Sequence, residues 1–250
     1  MRNITHIKTI ILAALLVLGG INALQASTEV TPPKAVDGSA TLSPRQAAIP
    51  LIAVFMATSN MEQLNNALNK GLDAGLTVSE SKEILVQLYA YTGFPRSLNA
   101  LSELKKVVDN RRLKGIHDVE GKEPVAAIPV GEELRRLGLA NQTKISGAPV
   151  QGPLFDFAPV INQFLQTHLF GDIFARDNLD WQSRELATVG ALAATSGVEA
   201  QLLSHMRASL RVGLSAGQLQ QVVNVLQTNG ASDAAMRAEN ALKRALASMN

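Results

Sequence analysis

Cysteine is absent from all 250 residues of the sequence. Without a thiol the protein forms no disulfide bond, binds no iron–sulfur cluster or thiolate-ligated zinc, and has no cysteine nucleophile or peroxidatic thiol. Disulfides are not needed for stability, because a chain of this length buries a sizeable hydrophobic core without them. The absence therefore excludes thiol-based redox chemistry.

Residues that bind metals or phosphate groups are also sparse. After Ala26 the histidines are His117, His168 and His205, and they do not show the spacing that is typical of a metal site. A glycine-rich phosphate-binding loop is missing as well. We therefore expect no metal ion and no cofactor.

The N-terminal segment, residues 1–26, is typical of a secretory signal peptide. Arg2 and Lys8 precede an apolar run over residues 9–21, and small residues lead up to Ser27. The run is shorter than the roughly 20 residues that span a membrane, so we expect cleavage rather than a retained anchor, which is the alternative. Residues 27–41 are rich in Pro, Ser and Thr and are predicted to form a flexible tether. The protein is expected to be exported, most simply to the periplasm, with no stable membrane insertion.

The net charge of +2 belongs to this N-terminal segment. Arg2 and Lys8 are its basic residues, and the first acidic residue of the chain is Glu29. Removal of the segment leaves equal numbers of basic and acidic residues. A neutral protein lacks the electrostatic basis for binding nucleic acid, so we expect no nucleic-acid partner.

The pattern from Leu42 onward predicts an all-α fold. Apolar residues recur at intervals of three and four, and capping boxes are indicated at Ser43 with Gln46 and at Thr77 with Glu80. Helices are predicted over 44–58, 61–74, 78–91, 95–110, 158–174, 181–196, 198–212, 216–228 and 233–248, with a short one near 131–137.

The helical region contains an internal repeat. Residues 71–77 align with residues 209–215, and the second capping box recurs at Ser215 and Gln218. We therefore predict two homologous, pseudo-symmetric units, as in a fused homodimer. They cover residues 42–110 and 154–250, and a polar connector over residues 111–153 joins them.

Two ionisable residues lie on apolar helix stripes in the second unit. Glu185 shares a stripe with Val189 and Leu192, and His205 shares one with Leu202. A carboxylate in such a place is paired, lies at an edge, or has a raised pKa that suits a general acid or base. The residues alone leave open a structural alternative, in which Glu185 pairs with Arg176 or Arg184 and His205 fills a core edge.

The second unit resembles the carboxymuconolactone decarboxylase family, which belongs to the alkyl hydroperoxidase D-like superfamily. The resemblance is carried by residues 168–176 (HLFGDIFAR), 179–180 (LD), 184–186 (REL), Gly197, 204–205 (SH), 208–210 (ASL) and 213–214 (GL). The first unit looks like a degenerate copy, through residues 71–77, 83–91, 93–95 and 99–101. The two copies cover most of the chain.

The resemblance implies an all-helical oligomer, often of three or six chains, and one of two activities. Members decarboxylate lactones or reduce peroxides with a cysteine pair. Matched residue by residue, the glutamate and histidine of the thiol branch fall on Glu185 and His205, whereas its two cysteines fall on Val198 and Gln201. The proton-handling residues are therefore present and the redox sulfurs are not.

The function expected from these features is cofactor-independent acid–base chemistry on a small carboxylated, lactone or keto-acid molecule. Glu185 and His205 are the expected catalytic residues. Residues expected to bind the substrate are Arg184, Arg176, Trp181 and His168, with Phe170 and Phe174 as a further apolar wall.

Two alternatives stay open. One is an antioxidant role inherited from the superfamily. The other is a non-catalytic oligomeric binding protein, in which Arg176 forms a surface pair with Asp177 or Asp180 and the aromatic residues are ordinary core. The second alternative also predicts that Glu185 is held in an ion pair and that no enclosed cavity borders His205.

Overall fold

The computed structural model describes residues 41–248. The expected signal peptide (1–26) and all but the last residue of the expected tether (27–41) lie outside the described residues. Residues 41–248 form α-helices and one π-helical segment, with no strand, which confirms the predicted all-α class. No helix in this part of the chain is long and apolar enough to cross a membrane.

Twelve α-helices and the π-helical segment follow one another through the described part of the chain. They are α1 (Pro44–Ala57), α2 (Met61–Asp73), α3 (Val78–Gln87), α4 (Tyr89–Thr92), α5 (Phe94–Leu113), α6 (Gly131–Ser146), α7 (Pro153–Phe157), α8 (Pro159–Phe164), the π-helical segment (Leu165–Ile173), α9 (Trp181–Ala194), α10 (Glu199–Arg211), α11 (Ala216–Thr228) and α12 (Ser232–Ala247).

Side-chain caps fix where several of these helices begin. The predicted capping boxes of Ser43, Thr77 and Ser215 are all present, so each hydroxyl accepts a backbone N–H of its own first turn. Asp180 caps α9 in the same way by accepting from the Ser183 N–H at 2.8 Å. Local chemistry therefore sets the start of α9, the helix that carries Glu185.

Three predicted helices differ from the observed ones by more than small shifts of their ends. The helix expected over 78–91 is interrupted at Leu88, which separates α3 from α4. The helix near 131–137 continues to Ser146 and ends where Gly147 adopts a left-handed conformation at φ +81°. The helix expected over 158–174 is α8 followed by the π-helical segment, in which a bond runs from the Phe174 N–H to the Leu169 carbonyl.

Helices from both predicted units build one hydrophobic core, with α1 and α9 packed along each other at its centre. The two helices approach closely at Gly190, where a Cβ atom would lie 2.7 Å from the Pro50 carbonyl oxygen and 2.9 Å from the Ala53 Cβ. Glycine is therefore required at this crossing by the space available between the helices.

A smaller apolar cluster lies beside the main core. Its buried members are Ile145, Leu169, Phe170, Ile173, Phe174 and Ala208, and Tyr89, Tyr91, Leu165, Trp181 and Val212 pack against them. Tyr91 also packs against the main core. This side chain from α4 therefore lies where the two clusters meet.

The connector is anchored to the N-terminal end of α3. The Val78 and Ser79 N–H groups donate to the carbonyls of Val119 and Glu120 at 2.9 and 2.8 Å. These contacts satisfy N–H groups that an α-helix leaves free at its N-terminus. The first part of the connector is thus held in place by backbone hydrogen bonds.

Candidate functional site

A buried carboxylate and an imidazole form the centre of the candidate site. Glu185 on α9 has no exposed surface, and its Oε2 lies 2.8 Å from Nδ1 of His205 on α10, whose side chain is 15% exposed. Because an ionised carboxylate only accepts hydrogen bonds, Nδ1 carries the proton of the pair. Nε2 of His205 is then the ring nitrogen that the contact with Glu185 leaves unused.

The second carboxylate oxygen of Glu185 is buried without a hydrogen bond. Glu185 Oε1 has no hydrogen-bond partner among the described residues. Burial of a charged oxygen without a partner is costly, so such atoms are uncommon in folded proteins and often mark functional sites. The pair is therefore not a fully satisfied structural ion pair.

Tyr91 from α4 adds a third side chain to the pair. Its ring meets the His205 ring edge-on, with centroids 5.5 Å apart and planes at 84°. The hydroxyl is buried beside Thr188, but the two groups do not reach normal hydrogen-bond geometry. Burial raises the pKa of the Tyr91 phenol well above its ordinary value, and the nearby Glu185 carboxylate raises it further. The phenol therefore keeps its proton at neutral pH.

Arg184, expected to bind the substrate, lies in the interior. Its side chain has no exposed surface, and Nη2 donates to Glu83 Oε1 at 2.9 Å while Nη1 donates to Gln87 Oε1 at 3.0 Å. Burial lowers the pKa of Arg184, and the Glu83 carboxylate opposes that shift. This guanidinium pairs α9 with α3 and has no open side for a substrate, so the geometry argues against the expected role.

Arg176 is held by the same carboxylate. Its Nε lies 2.9 Å from Glu83 Oε2 and 3.0 Å from Oε1, and about a third of the side chain is exposed. Both arginines thus pair with Glu83. Among the described residues Glu185 pairs with His205 and with neither arginine, which contradicts the structural alternative, and the direct ion pair of Arg176 is with Glu83 rather than with Asp177 or Asp180.

The expected aromatic wall belongs to the smaller core. Phe170 and Phe174 are 6% and 2% exposed, and Trp181 Nε1 donates to the Phe174 carbonyl at 3.1 Å. Lys144 Nζ lies 4.7 Å from the Trp181 ring centroid. These contacts account for the aromatic side chains by packing and a cation–π interaction.

His168 is not brought to the pair. Its Nδ1 lies 2.7 Å from Asp172 Oδ2, both side chains are about half exposed, and its ring lies 5.6 Å from that of Tyr89. The structure therefore joins Glu185 with His205, whereas Arg184, Arg176, Trp181 and His168 have other partners. In the described residues no cluster of His, Asp and Glu is arranged to hold a metal ion.

Two adjoining cavities open near the C-terminal ends of α1 and α9. The smaller one, of about 400 Å³, is lined by Ala57, Thr58, Tyr91, Thr92, Arg96, Ala194, Thr195 and Ser196. The larger one, of about 580 Å³, includes Asp233 and Arg237 and shares Thr58, Ala194 and Ser196 with the smaller. Since Tyr91 lines the smaller cavity and contacts His205, that cavity reaches the wall of the candidate site.

Sequence reasoning missed Glu83, Gln87 and Tyr91 as partners of the site. Glu83 and Gln87 lie four residues apart among apolar neighbours on α3, which is a signal for a buried polar pair. Nothing local links them to Arg184, however, because the contacts span 101 and 97 residues. Tyr91 lies in the first unit, where no ionisable site residue was expected.

The fold and the site define an all-helical protein with a buried carboxylate–imidazole pair on adjacent helices and no thiol beside it. Residues 159–244 match the model of the Carboxymuconolactone decarboxylase family. The matched segment runs from α8 into α12 and contains both Glu185 and His205. No curated protein matches the chain.

Proposed function

We propose that the protein is a carboxymuconolactone decarboxylase-like enzyme that performs cofactor-independent acid–base chemistry on a small carboxylated molecule. The observation that carries the proposal is the 2.8 Å contact between Glu185 Oε2 and His205 Nδ1, with the carboxylate wholly buried. Two adjacent helices of the family-matching segment supply these groups. A histidine oriented by a carboxylate is a common general acid–base arrangement.

In the proposed reaction the bond between a carboxylate carbon and the adjacent carbon breaks, and carbon dioxide leaves. The electron pair of that bond moves into a conjugated carbonyl and forms an enolate. His205 in its imidazolium form then transfers the Nε2 proton to carbon and becomes a neutral imidazole, and a proton from solvent restores the imidazolium. Glu185 fixes the ring through Nδ1 and stabilises the imidazolium form, which lowers the barrier to proton transfer.

Substitution of the pair tests this proposal. We expect Glu185→Gln and His205→Ala each to lower the turnover of a lactone or keto-acid substrate by about 10²- to 10⁴-fold, the usual contribution of general acid–base catalysis. His117→Ala is the matched control, because His117 is exposed on the connector. Unchanged turnover in both variants of the pair would contradict the assignment.

We also propose that residues 42–110 are a degenerate second copy of the family unit. The helices α1, α2, α3 and α5 begin at Pro44, Met61, Val78 and Phe94, and α9, α10, α11 and α12 begin at Trp181, Glu199, Ala216 and Ser232. The two series have the same spacing to within a single position. His205 corresponds to Ala67 in the first copy, and with one gap in the alignment Glu185 corresponds to Gln46. Each chain therefore has one acid–base pair, and the first copy contributes the Tyr91 contact.

Export of the protein is part of the same proposal and rests on the N-terminal sequence alone. Signal cleavage after Ala26 would release a neutral protein into the periplasm. Thiol peroxidase chemistry is no part of the proposal, since the sequence has no cysteine.

A further inference from the structure

The proposed acid–base pair needs a cation to hold the carboxylate of its substrate, and the two arginines that the sequence suggested for this role are occupied. Arg176 and Arg184 both donate to Glu83 at distances of 2.9 to 3.0 Å. A substrate carboxylate would have to displace a buried ion pair to reach Arg184, and loss of such a pairing is strongly unfavourable. The anchor must therefore come from another part of the molecule.

Arg96 on α5 is an exposed arginine at the cavity that reaches Tyr91. Its Nη1 donates to the Thr92 carbonyl at 3.0 Å, and it forms no ion pair with an acidic residue among residues 41–248. A guanidinium has five N–H donors in a planar fork, so most of its donors remain free. This is the geometry that binds a carboxylate through two parallel hydrogen bonds.

The lining of this cavity has one sign of charge. Arg96 is its charged residue, and the others are alanines, hydroxyl residues and Tyr91. The adjoining larger cavity differs, because Asp233 lies there with Arg237. A volume of about 400 Å³ suits a small molecule, and an unopposed guanidinium favours an anion.

The turn between α4 and α5 brings Arg96 and Tyr91 to the same cavity. Gly93 adopts φ +85° and ψ 156°, a conformation that residues with a Cβ atom rarely adopt. Tyr91 precedes this residue and Arg96 follows it, and both side chains line the cavity. The Tyr91 ring also makes the edge-on contact with His205 at 5.5 Å.

We propose that the cavity lined by Tyr91 and Arg96 is the carboxylate subsite of the enzyme, with Arg96 as its specificity-determining residue. The inference rests on the proposed function, because it supplies the substrate of the Glu185–His205 pair. Arg96 holds the carboxylate of a small anionic keto or lactone acid, at a cavity that is also lined by Tyr91, whose ring contacts the His205 imidazole. In this proposal the first unit binds the carboxylate of the substrate through Arg96, and the second unit supplies the acid–base pair of Glu185 and His205.

The test follows the histidine ring signals of the full chain by NMR, with the His205 signal identified by its loss in His205→Ala. The probe is levulinate, a small carboxylate that carries a ketone, and its neutral methyl ester is the paired control. We expect levulinate to shift the His205 signal and the ester to leave it in place. No shift with levulinate would overturn the subsite.

Arg96→Gln should raise the dissociation constant for levulinate about 10- to 100-fold, the usual worth of hydrogen bonds to a charged group. Arg96→Lys keeps the positive charge but loses the planar guanidinium, so its dissociation constant for levulinate should lie between those of wild type and Arg96→Gln. Arg237→Gln, in the larger cavity, is the matched control and should bind within twofold of wild type. Thermal unfolding of each variant checks that it is folded.

The outcomes separate this inference from the proposed function. Levulinate binding that is unaffected by Arg96→Gln, or lost in Arg237→Gln, overturns the subsite even if Glu185→Gln abolishes turnover. Weaker binding in Arg96→Gln supports the subsite even if the Glu185 and His205 variants turn over substrate normally. In that second case the subsite stands and the acid–base assignment fails.

Discussion

At the scale of single residues, Tyr91 shows how burial changes the chemistry of a side chain. Its phenol lies between two apolar clusters and near the Glu185 carboxylate, so the ionised form is disfavoured by burial first and by charge second. A neutral phenol beside a buried carboxylate can donate a hydrogen bond but does not add negative charge. The neutral phenol of Tyr91 therefore adds no second negative charge next to His205 beyond that of the Glu185 carboxylate.

The raised pKa of Tyr91 makes a prediction about alkaline stability. The unfolded chain releases the phenol proton near pH 10, while the folded protein retains it, so unfolding becomes easier as pH rises above that value. The stabilising contribution is complete below pH 10 and is lost as pH rises toward the folded-state pKa. We expect Tyr91→Phe to flatten the fall of the unfolding free energy between about pH 9 and 11, measured by urea unfolding.

The control for this measurement is Tyr89→Phe, because Tyr89 is the other tyrosine of the chain. Tyr89→Phe should change the fall of the unfolding free energy with rising pH by less than Tyr91→Phe does. Equal slopes in wild type and Tyr91→Phe would show that burial of the Tyr91 hydroxyl does not resist ionisation.

At the scale of helices, Gly190 is the tightest point of the central crossing between α1 and α9. A methyl group there meets backbone of α1, which cannot move without shifting the whole helix. Alanine has the higher helix propensity by about 1 kcal/mol, so propensity alone predicts a gain in stability. The steric cost of separating two packed helices exceeds that gain.

We expect Gly190→Ala to lower the free energy of unfolding by about 1–3 kcal/mol, as overpacked core variants do. Gly71→Ala is the matched control within α2, because its nearest neighbour is the end of the flexible Leu76 side chain at 2.9 Å. That side chain can rotate away, so the effect should be smaller. A Gly190→Ala variant as stable as wild type in chemical denaturation would refute the close packing of α1 on α9.

Helix existence was predictable from the sequence because the signals are local. The capping boxes and the periodicity placed α11 at its observed bounds and α1 and α2 within one residue of theirs. The interruption at Leu88 was not predictable in the same way, since the residues on both sides favour a helix. The π-helical segment depends on packing against α6, where Gly138 lets the Gln166 carbonyl approach closely.

The candidate site was predictable in part, through family resemblance. Glu185 and His205 were identified together because the family pattern contains both, and the structure places them in contact. The partners of Arg184 were not, because its pairing with Glu83 depends on how distant helices pack. Apolar periodicity indicates which face of a helix is buried, but it does not indicate which residue lies opposite.

At the scale of the whole molecule, the region before the π-helical segment presents an unusual apolar surface. The helices α7 and α8 contain no buried residue, and five of their large apolar side chains are exposed. They are Leu154, Phe157, Val160, Ile161 and Phe164, with exposed fractions of 63%, 88%, 53%, 44% and 58%. Exposed apolar surface of this kind is typical of association sites, and we propose that a second copy of the chain covers it.

The proposed assembly is a homo-oligomer of three or six chains. We expect the double variant Phe157→Glu with Phe164→Glu to shift the molar mass measured by light scattering toward that of one chain, because buried charge opposes association. Gln163→Glu adds a charge on the same helix at an exposed polar position and should leave the mass unchanged. A wild-type protein that elutes as a monomer would contradict the proposed assembly.

The buried Arg184 has a consequence for how this protein can be divided. Its counter-ion, Glu83, lies 101 residues earlier in the chain, well before the segment that matches the family. A fragment that begins at the start of that segment would contain the Arg184 guanidinium, which is buried in the full protein, but not the Glu83 carboxylate that neutralises it. The segment that matches the family is therefore shorter than the part of the chain that is needed to keep Arg184 paired with Glu83.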